Sequence, residues 1–395
     1  MDYIKRNMSE TLEFVHKIFP VITLTGPRQS GKTTLCRHLY PSLPYLNMEN
    51  IQTSLFFNEN PVGFLDNLSE GAIIDEAQLE PELFRALQVV VDEDYHSEKL
   101  RKFIITGSSN FSLMAKISES MSGRTAPLTL LPLSTDEILN YKDKNEISTS
   151  ELMFLGGYPK VWTNPIEAKD IIIQSYIDTY VERDLRNLLN VKDLNKFLKF
   201  LGLCAGRIGT ELNRNSLAIE TGVTIATIDS WLSVLQASYI IWLLQPWSTN
   251  LNKRLTKSPK IYFYDTGLLC SLLGIREAKQ IETYPIRGAI FENMVINNFI
   301  KKTFNKGLKP KLWFYRDKTG REIDLIIETV DGLNLYEIKA STGFNPDYFK
   351  NIRYFEKTFP EKVTSASILY DGETSKTNDS KSRIFNFKDS SVYIF

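Results

Sequence analysis

At 395 residues the chain exceeds what one hydrophobic core organises, so two to four domains are expected. With 43% hydrophobic and 24% charged residues and a formal net charge of zero, the composition is that of a folded globular protein and excludes a collagen-like or disordered chain. No apolar run approaches the roughly 18 residues of a membrane helix, and the N-terminal stretch MDYIKRNMSETLEF is charged where a signal peptide needs an apolar core. A cytoplasmic location with no membrane partner is the expectation. Cys36, Cys204 and Cys270 are far apart, as are His16, His38 and His96. Free thiols are expected, and any metal should be Mg²⁺ held by oxygen ligands.

Charge is unevenly spread. Residues 43–100 hold twelve acidic and two basic residues, whereas residues 251–318 hold fourteen basic and five acidic. A basic segment in a neutral protein points to a polyanion surface, nucleic acid first, or to an acidic counterpart within an oligomer.

The first informative stretch is VITLTGPRQSGKTTLCRHL, residues 21–39: an apolar strand, a loop of the form GxxxxGK[ST] and the start of a helix. Gly26 and Gly31 let backbone N–H groups wrap phosphate oxygens, and the helix N-terminus adds its positive dipole end. Lys32 would reach the β- and γ-phosphates of ATP, and Thr33 would take a place on Mg²⁺. Gly26, Pro27, Arg28, Gln29, Ser30, Gly31, Lys32, Thr33 and Thr34 are thus the expected nucleotide contacts. Downstream, GAIIDEAQ (71–78) is a short buried strand ending in acid. Asp75 would hold the Mg²⁺, and Glu76 would polarise the attacking water as general base. A further apolar strand in KFIITGSSN (102–110) puts Ser108, Ser109 and Asn110 at its tip, each a candidate for the γ-phosphate.

This arrangement resembles the AAA+ ATPases, through GPRQSGKTTL, GSS and SGRTAPLTLLPLS, and in particular a prokaryotic subfamily whose members often end in a restriction-nuclease-like domain of unknown function. The resemblance implies an arginine finger at the end of the helix 111–124, which would be Arg124. Such a finger would act on a neighbouring subunit's nucleotide in a homo-oligomer. Arg183, in YVERDLRN, is its rival, or a sensor on the lid.

Residues 150–190 contain GGYP and then a helical stretch with Ile172, Tyr176, Tyr180 and Asp184 at intervals of four, read as a lid. NRNSLAIETGVTIATIDSWLSVLQASYIIWLLQPW (213–247) has the shape of a helix-turn-helix: Ser216–Thr221, a stop at Gly222, and a second helix from about Thr224. Ile225, Ile228, Trp231, Leu232 and Leu235 should face inward. The strands YIIWLL and KIYFYD bracket a basic segment that reads as a wing, with Lys253, Arg254 and Lys257 as phosphate contacts. The outward Thr224, Thr227, Asp229 and Ser230 are poor in positive charge, so a protein joint is the competing reading.

In the last hundred residues a helix, RGAIFENMVINNFIKK, carries Glu292 beside an apolar stripe. The segment REIDLIIETVDGLNLYEIKAS (321–341) reads as a β-hairpin turning at Asp331-Gly332. A two-residue turn would oppose Val330 to Leu333, Ile326 to Glu337 and Asp324 to Lys339. The period of two then puts Asp324, Glu337 and Lys339 on one face. That order of elements resembles the PD-(D/E)XK nuclease fold. The resemblance implies a site in which Glu292, Asp324 and Glu337 hold Mg²⁺ while Glu337 and Lys339 serve catalysis.

The expected fold is therefore α/β: a P-loop AAA+ ATPase domain (1–145), a helical lid (146–192), a winged-helix middle domain (193–280) and a restriction-endonuclease-like α/β domain (281–395). Two functions fit. One is an Mg²⁺-dependent ATPase coupling nucleotide state to binding or cleavage of nucleic acid, DNA favoured. The other is an ATP-driven DNA- or protein-binding switch whose nuclease-like domain is not catalytic.

Overall fold

Five parallel strands cover the first third of the chain: β1 (Val21–Thr25), β2 (Tyr45–Asn47), β3 (Gly71–Asp75), β4 (Lys102–Thr106) and β5 (Thr125–Thr129), in the order β2-β3-β4-β1-β5. The computed structural model describes residues 3–97, 101–107, 121–143, 146–179, 194–250, 257–373, 376–377 and 382–393. Ser108, Ser109, Asn110, Tyr180, Arg183, Asp184, Lys253 and Arg254 lie outside the described residues. β1 and β3 are buried along their whole length because helices cover both faces of a parallel sheet. Alternation divides the strand residues between two cores. Val21, Ala72, Ile74 and Phe103 pack with Leu83, Phe84, Leu87, Val90 and Val91 of the helix Glu82–Ser97, whose spacing makes one apolar face. Ile22, Leu24, Ile73 and Ile104 pack with Met8, Leu12, Leu35 and Cys36 on the other side.

A second, eight-stranded mixed sheet occupies the rest, in the order β12-β13-β11-β10-β9-β8-β6-β7. Its strands are β6 (Ile241–Pro246), β7 (Lys260–Phe263), β8 (Leu312–Arg316), β9 (Glu322–Glu328), β10 (Leu333–Lys339), β11 (Val363–Tyr370), β12 (Lys376–Thr377) and β13 (Ser382–Asn386). Strand pairing in this sheet crosses residue 280, where the last expected domain begins. The antiparallel pair β6–β7 does not stand apart as a wing: β6 continues the C-terminal sheet through parallel pairing of Gln245 with Trp313 and Pro246 with Phe314. One core likewise runs from Ile172 and Tyr176 through Phe197, Trp231 and Leu235 to Phe291, Val295 and Phe299. Segments expected as lid, middle and C-terminal domains therefore share a single apolar interior.

The helices Arg214–Thr221 and Ile225–Ala237 meet at Gly222, which takes φ 69° as a helix-ending residue must there. Thr224 caps the second helix through the Thr227 N–H. Ile228, Trp231, Leu232 and Leu235 are buried as expected, but Ile225 is 45% exposed, since it starts the helix on the open side of the turn.

The hairpin register differs from expectation by two residues. Leu333 faces Glu328 and Leu335 faces Ile326, with a four-residue connection closed by the Thr329 N–H and hydroxyl on the Gly332 carbonyl. The Leu333 N–H instead joins the Lys362 carbonyl of the chain entering β11, so the ladder to that neighbour ends the hairpin early. A two-residue slip preserves the faces, whereas a slip of one would invert them. Asp324, Glu337 and Lys339 stay on one side.

Candidate functional site

The end of β1 feeds a loop whose backbone is set by close packing. Gly26 has φ 144°, and a Cβ there would stand 2.1 Å from the Leu130 carbonyl oxygen, so only glycine fits. Gln29 takes φ 61°, and Gly31 at φ 93° opens the helix Lys32–Leu39. Lys32 is buried and donates to the carbonyls of Gly26 (3.0 Å) and Pro27 (2.8 Å). Burial pulls its ammonium down to about 8, against the opposing charges of Glu76 and Asp75. The Ser30 hydroxyl is fully buried with no hydrogen-bond partner among the described residues. A loop with a buried cation, an orphaned hydroxyl and a helix N-terminus fits a polyphosphate.

The acids of β3 meet this loop. Thr33 Oγ1 donates to Asp75 Oδ2 at 2.7 Å, and Tyr45 donates to the same oxygen at 2.8 Å. Thr106, at the tip of β4 between the two strands, donates to Asp75 Oδ1, which also accepts the Glu76 N–H at 3.1 Å. The hydroxyl–carboxylate pair Thr33–Asp75 is a hard-oxygen donor set that fits Mg²⁺. Glu76 takes the left-handed φ of 52°, uncommon for glutamate, with its carboxylate on the Gln78 amide and 4.0 Å from Arg28 Nη1.

Several groups that hold this loop come from far along the chain. Arg6 is buried, donating to the Ser30 carbonyl (2.7 Å), the Leu131 carbonyl (2.6 Å) and Glu137 Oε1 (3.1 Å). Tyr239, with φ 57°, follows the helix Ile225–Ala237 and puts its hydroxyl 3.0 Å from Thr25 Oγ1, the residue before Gly26. Pro159 of the GGYP segment lies 3.7 Å from where a Gly31 Cβ would be. That segment is fixed by the Gly157 N–H on Asp265 Oδ2 (2.6 Å) and by the Leu133 N–H on the Gly157 carbonyl (2.7 Å). Arg6, Tyr45, Thr106 and Tyr239 carry no motif, and only Thr106 could have been found from its place at the end of a buried strand.

Arg124 is not in this site. It precedes β5, whose first residue pairs with Val21, so it sits at the opposite pole of the sheet from the loop. There it holds Asp92 bidentately, at 2.6 and 2.8 Å. Thr34 and Gln29 are exposed at the loop's outer side.

The C-terminal acids are brought near one another, but not as one cage. Lys339 Nζ lies 2.6 Å from Glu337 Oε2 and 3.2 Å from Asp324 Oδ2, and Asp324 also accepts the Ile338 N–H at 2.8 Å. Glu292, on the helix Arg287–Asn305, accepts the Tyr262 hydroxyl and lies 3.4 Å from Lys260 Nζ. The same lysine contacts Glu322 Oε1. Burial would raise Asp324, but the Lys339 and Lys260 charges and the Ile338 N–H outweigh it and leave the carboxyl below its usual value. Burial, then the Asp324 charge, pushes Glu337 well up. Burial and the neighbouring Asp324 charge thus hold a proton more firmly on Glu337 than on Asp324. Among the described residues no three Asp, Glu, His or Cys side chains converge as metal ligands. The expected metal set Glu292, Asp324 and Glu337 does not fit a divalent cation in this arrangement, because lysines occupy the space between the carboxylates. Lys260, Tyr262 and Glu322 were missed by the sequence reading. Glu322 was findable, two residues before Asp324 on the same strand face.

Together the glycine loop, the paired acid and the parallel sheet define an ATP-binding domain of the P-loop kind, and the profile of an AAA domain matches residues 19–139. The chain carries an AAA-type ATPase domain. Two further profiles match beyond it, each described as a domain of unknown function: DUF8612 over residues 147–279 and DUF4143 over residues 287–388. The chain is 32% identical over 370 residues to the uncharacterized protein Rv2008c of Mycobacterium tuberculosis, covering 90% of this chain and 77% of that one, and it belongs to that protein's family. The uncharacterized protein MJ1544 of Methanocaldococcus jannaschii is 26% identical over 346 residues, covering 79% of this chain and 73% of its own length. Among solved structures, the Walker-type ATPase paby2304 of Pyrococcus abyssi superposes with a TM-score of 0.46 at 15% identity, over 69% of this chain and 96% of that one. Among the described residues no helix is long and apolar enough to cross a membrane.

Proposed function

We propose that the protein is an Mg²⁺-dependent ATPase working as a nucleotide-driven switch, whose middle and C-terminal parts bind nucleic acid, DNA in the first place, without cutting it. At the loop, Lys32 leaves the Gly26 and Pro27 carbonyls for the β- and γ-phosphates, and the backbone N–H groups of residues 28–33 take the remaining oxygens. Thr33 and Asp75 would hold Mg²⁺, which neutralises charge on the phosphates. Glu76 orients and deprotonates the attacking water, and Thr106 and Tyr45 keep Asp75 in place. In an oligomer, Arg124 released from Asp92 would be free to serve a neighbour's nucleotide.

The observation that carries the switch is the Tyr239 hydroxyl on Thr25. It connects the helix pair 214–237 directly to the strand that ends in the phosphate loop, so a loop that moves on nucleotide binding pulls on that pair. Exposed Lys257, Lys306, Lys309, Lys311 and Lys318 supply the positive surface on the same half of the molecule. The neighbouring Arg214 is taken up by Asp229 at 2.7 Å. Phosphate contacts of this kind position a duplex without reading its sequence.

The test is duplex DNA affinity with and without a non-hydrolysable ATP analogue, in wild type and in Tyr239→Phe. Coupling of typical size, about 5- to 150-fold, is expected in wild type, falling with salt, and a smaller effect in the variant. A DNA affinity that ignores nucleotide in the wild type overturns the proposal.

A further inference from the structure

The C-terminal half contains a buried charge cluster that the ATPase chemistry does not use. Its centre is Lys260, 1% exposed, at the start of β7. Its Nζ contacts Glu322 Oε1 of β9 and stands 3.4 Å from Glu292 Oε1 of the helix Arg287–Asn305. Tyr262, two residues along the same face of β7, donates to that same Glu292 oxygen. Lys339 closes the other side, against Asp324 and Glu337. Two lysines therefore stand among four acids, three of which burial pushes above their ordinary values: Glu292 and Glu322, both against the Lys260 charge, and Glu337.

We propose that Lys260 is a built-in substitute for a divalent cation: seated between Glu292 and Glu322, it makes the C-terminal carboxylate cluster a metal-free lock that fastens the β6–β7 pair and the helix Arg287–Asn305 to β9. The three elements it joins are distant in sequence, and the ammonium contacts acids from both of the others. A buried ion set of this kind is costly to break from one side, since removing the lysine leaves its acids uncompensated in a low-dielectric interior. The same removal opens an acid-lined space that a divalent cation fits, because carboxylate oxygens are its preferred donors. The lock rests on the reading of this half as a binding and not a cutting unit. Its test reads metal occupancy alone, so its failure leaves the DNA–nucleotide coupling to be decided by the Tyr239 experiment.

The experiment is Mn²⁺ binding to the full nucleotide-free chain, followed by the electron paramagnetic resonance signal of free Mn²⁺, in wild type, Asp324→Asn, Lys260→Met and the double variant. Wild type and Asp324→Asn should bind the same number of Mn²⁺ ions. Lys260→Met should gain one site, lost again in the double variant, together with a lower melting temperature. One Mn²⁺ more in wild type than in Asp324→Asn overturns the proposal, as does a folded Lys260→Met that gains none. If Lys260→Met does not fold, the wild type against Asp324→Asn decides on its own.

Discussion

Replacing Arg6 by methionine removes a side chain that ties the phosphate loop to the segment following β5. The guanidinium makes a buried ion pair with Glu137, which is 1% exposed, and donates to the carbonyls of Ser30 and Leu131. Breaking a buried pair from one side costs about 3–5 kcal/mol, because the remaining charge is left without its partner. Glu137 keeps the N–H groups of Asn7 (2.7 Å) and Ser134 (2.8 Å), which brings the expected cost to the lower end, about 3 kcal/mol. For a cooperative unit of roughly 150–250 residues that is a fall of about 6–12 °C in the first melting transition. The double variant Arg6→Met/Glu137→Gln should recover part of the loss, since no charge is then stranded. Because the Ser30 carbonyl is also released, the rise in melting temperature that MgATP gives the wild type should shrink in Arg6→Met. Thermal melts followed by circular dichroism, with and without MgATP, read all of these quantities. An Arg6→Met protein that melts within a degree of wild type would show that the Arg6–Glu137 pair does not hold the domain together in this way.

His16 is buried against Tyr40, both ring nitrogens lack hydrogen-bond partners among the described residues, and burial, aided by the Lys102 charge, lowers it to about 4. The unfolded chain takes up the proton near pH 6.5 and the folded one does not. Stability from this group is thus complete above about 6.5 and is lost as pH falls towards 4, by about 3 kcal/mol in all. His16→Leu should flatten the melting-temperature profile between pH 4.5 and 6.5, and a variant with the wild-type slope would rule this out. Gly26→Ala should abolish nucleotide binding in a protein that still folds, because its Cβ meets the Leu130 carbonyl oxygen at 2.1 Å. Isothermal titration with ATP checks it, and unchanged affinity would show that the loop has another conformation.

Much of the first domain was legible because its chemistry is local. The loop glycines, Lys32, Thr33 and the acid pair lie in two short stretches whose flanking strands are continuous apolar runs, and the structure puts Thr33 on Asp75 accordingly. The helix break at Gly222 was legible for the same reason. The hairpin 321–341 was legible in face but not in register, since Asp331-Gly332 signals a tight turn and says nothing of the β11 neighbour that captures Leu333. Contacts without local period were invisible. Arg6 meets Glu137, Tyr239 meets Thr25 and Lys260 meets Glu322 across stretches that no spacing rule spans. The pairing of β6 with β8 is of that kind too, and it is why a boundary drawn near residue 280 cuts through a sheet.

The most direct measurement is ATP binding and turnover by the purified chain beside Glu76→Gln and Lys32→Ala. Wild type should hydrolyse MgATP; Glu76→Gln should bind it with little change yet turn over about 100-fold more slowly or worse; Lys32→Ala should not bind. Wild-type turnover in Glu76→Gln, or ATP binding that survives Lys32→Ala, would contradict the site described above.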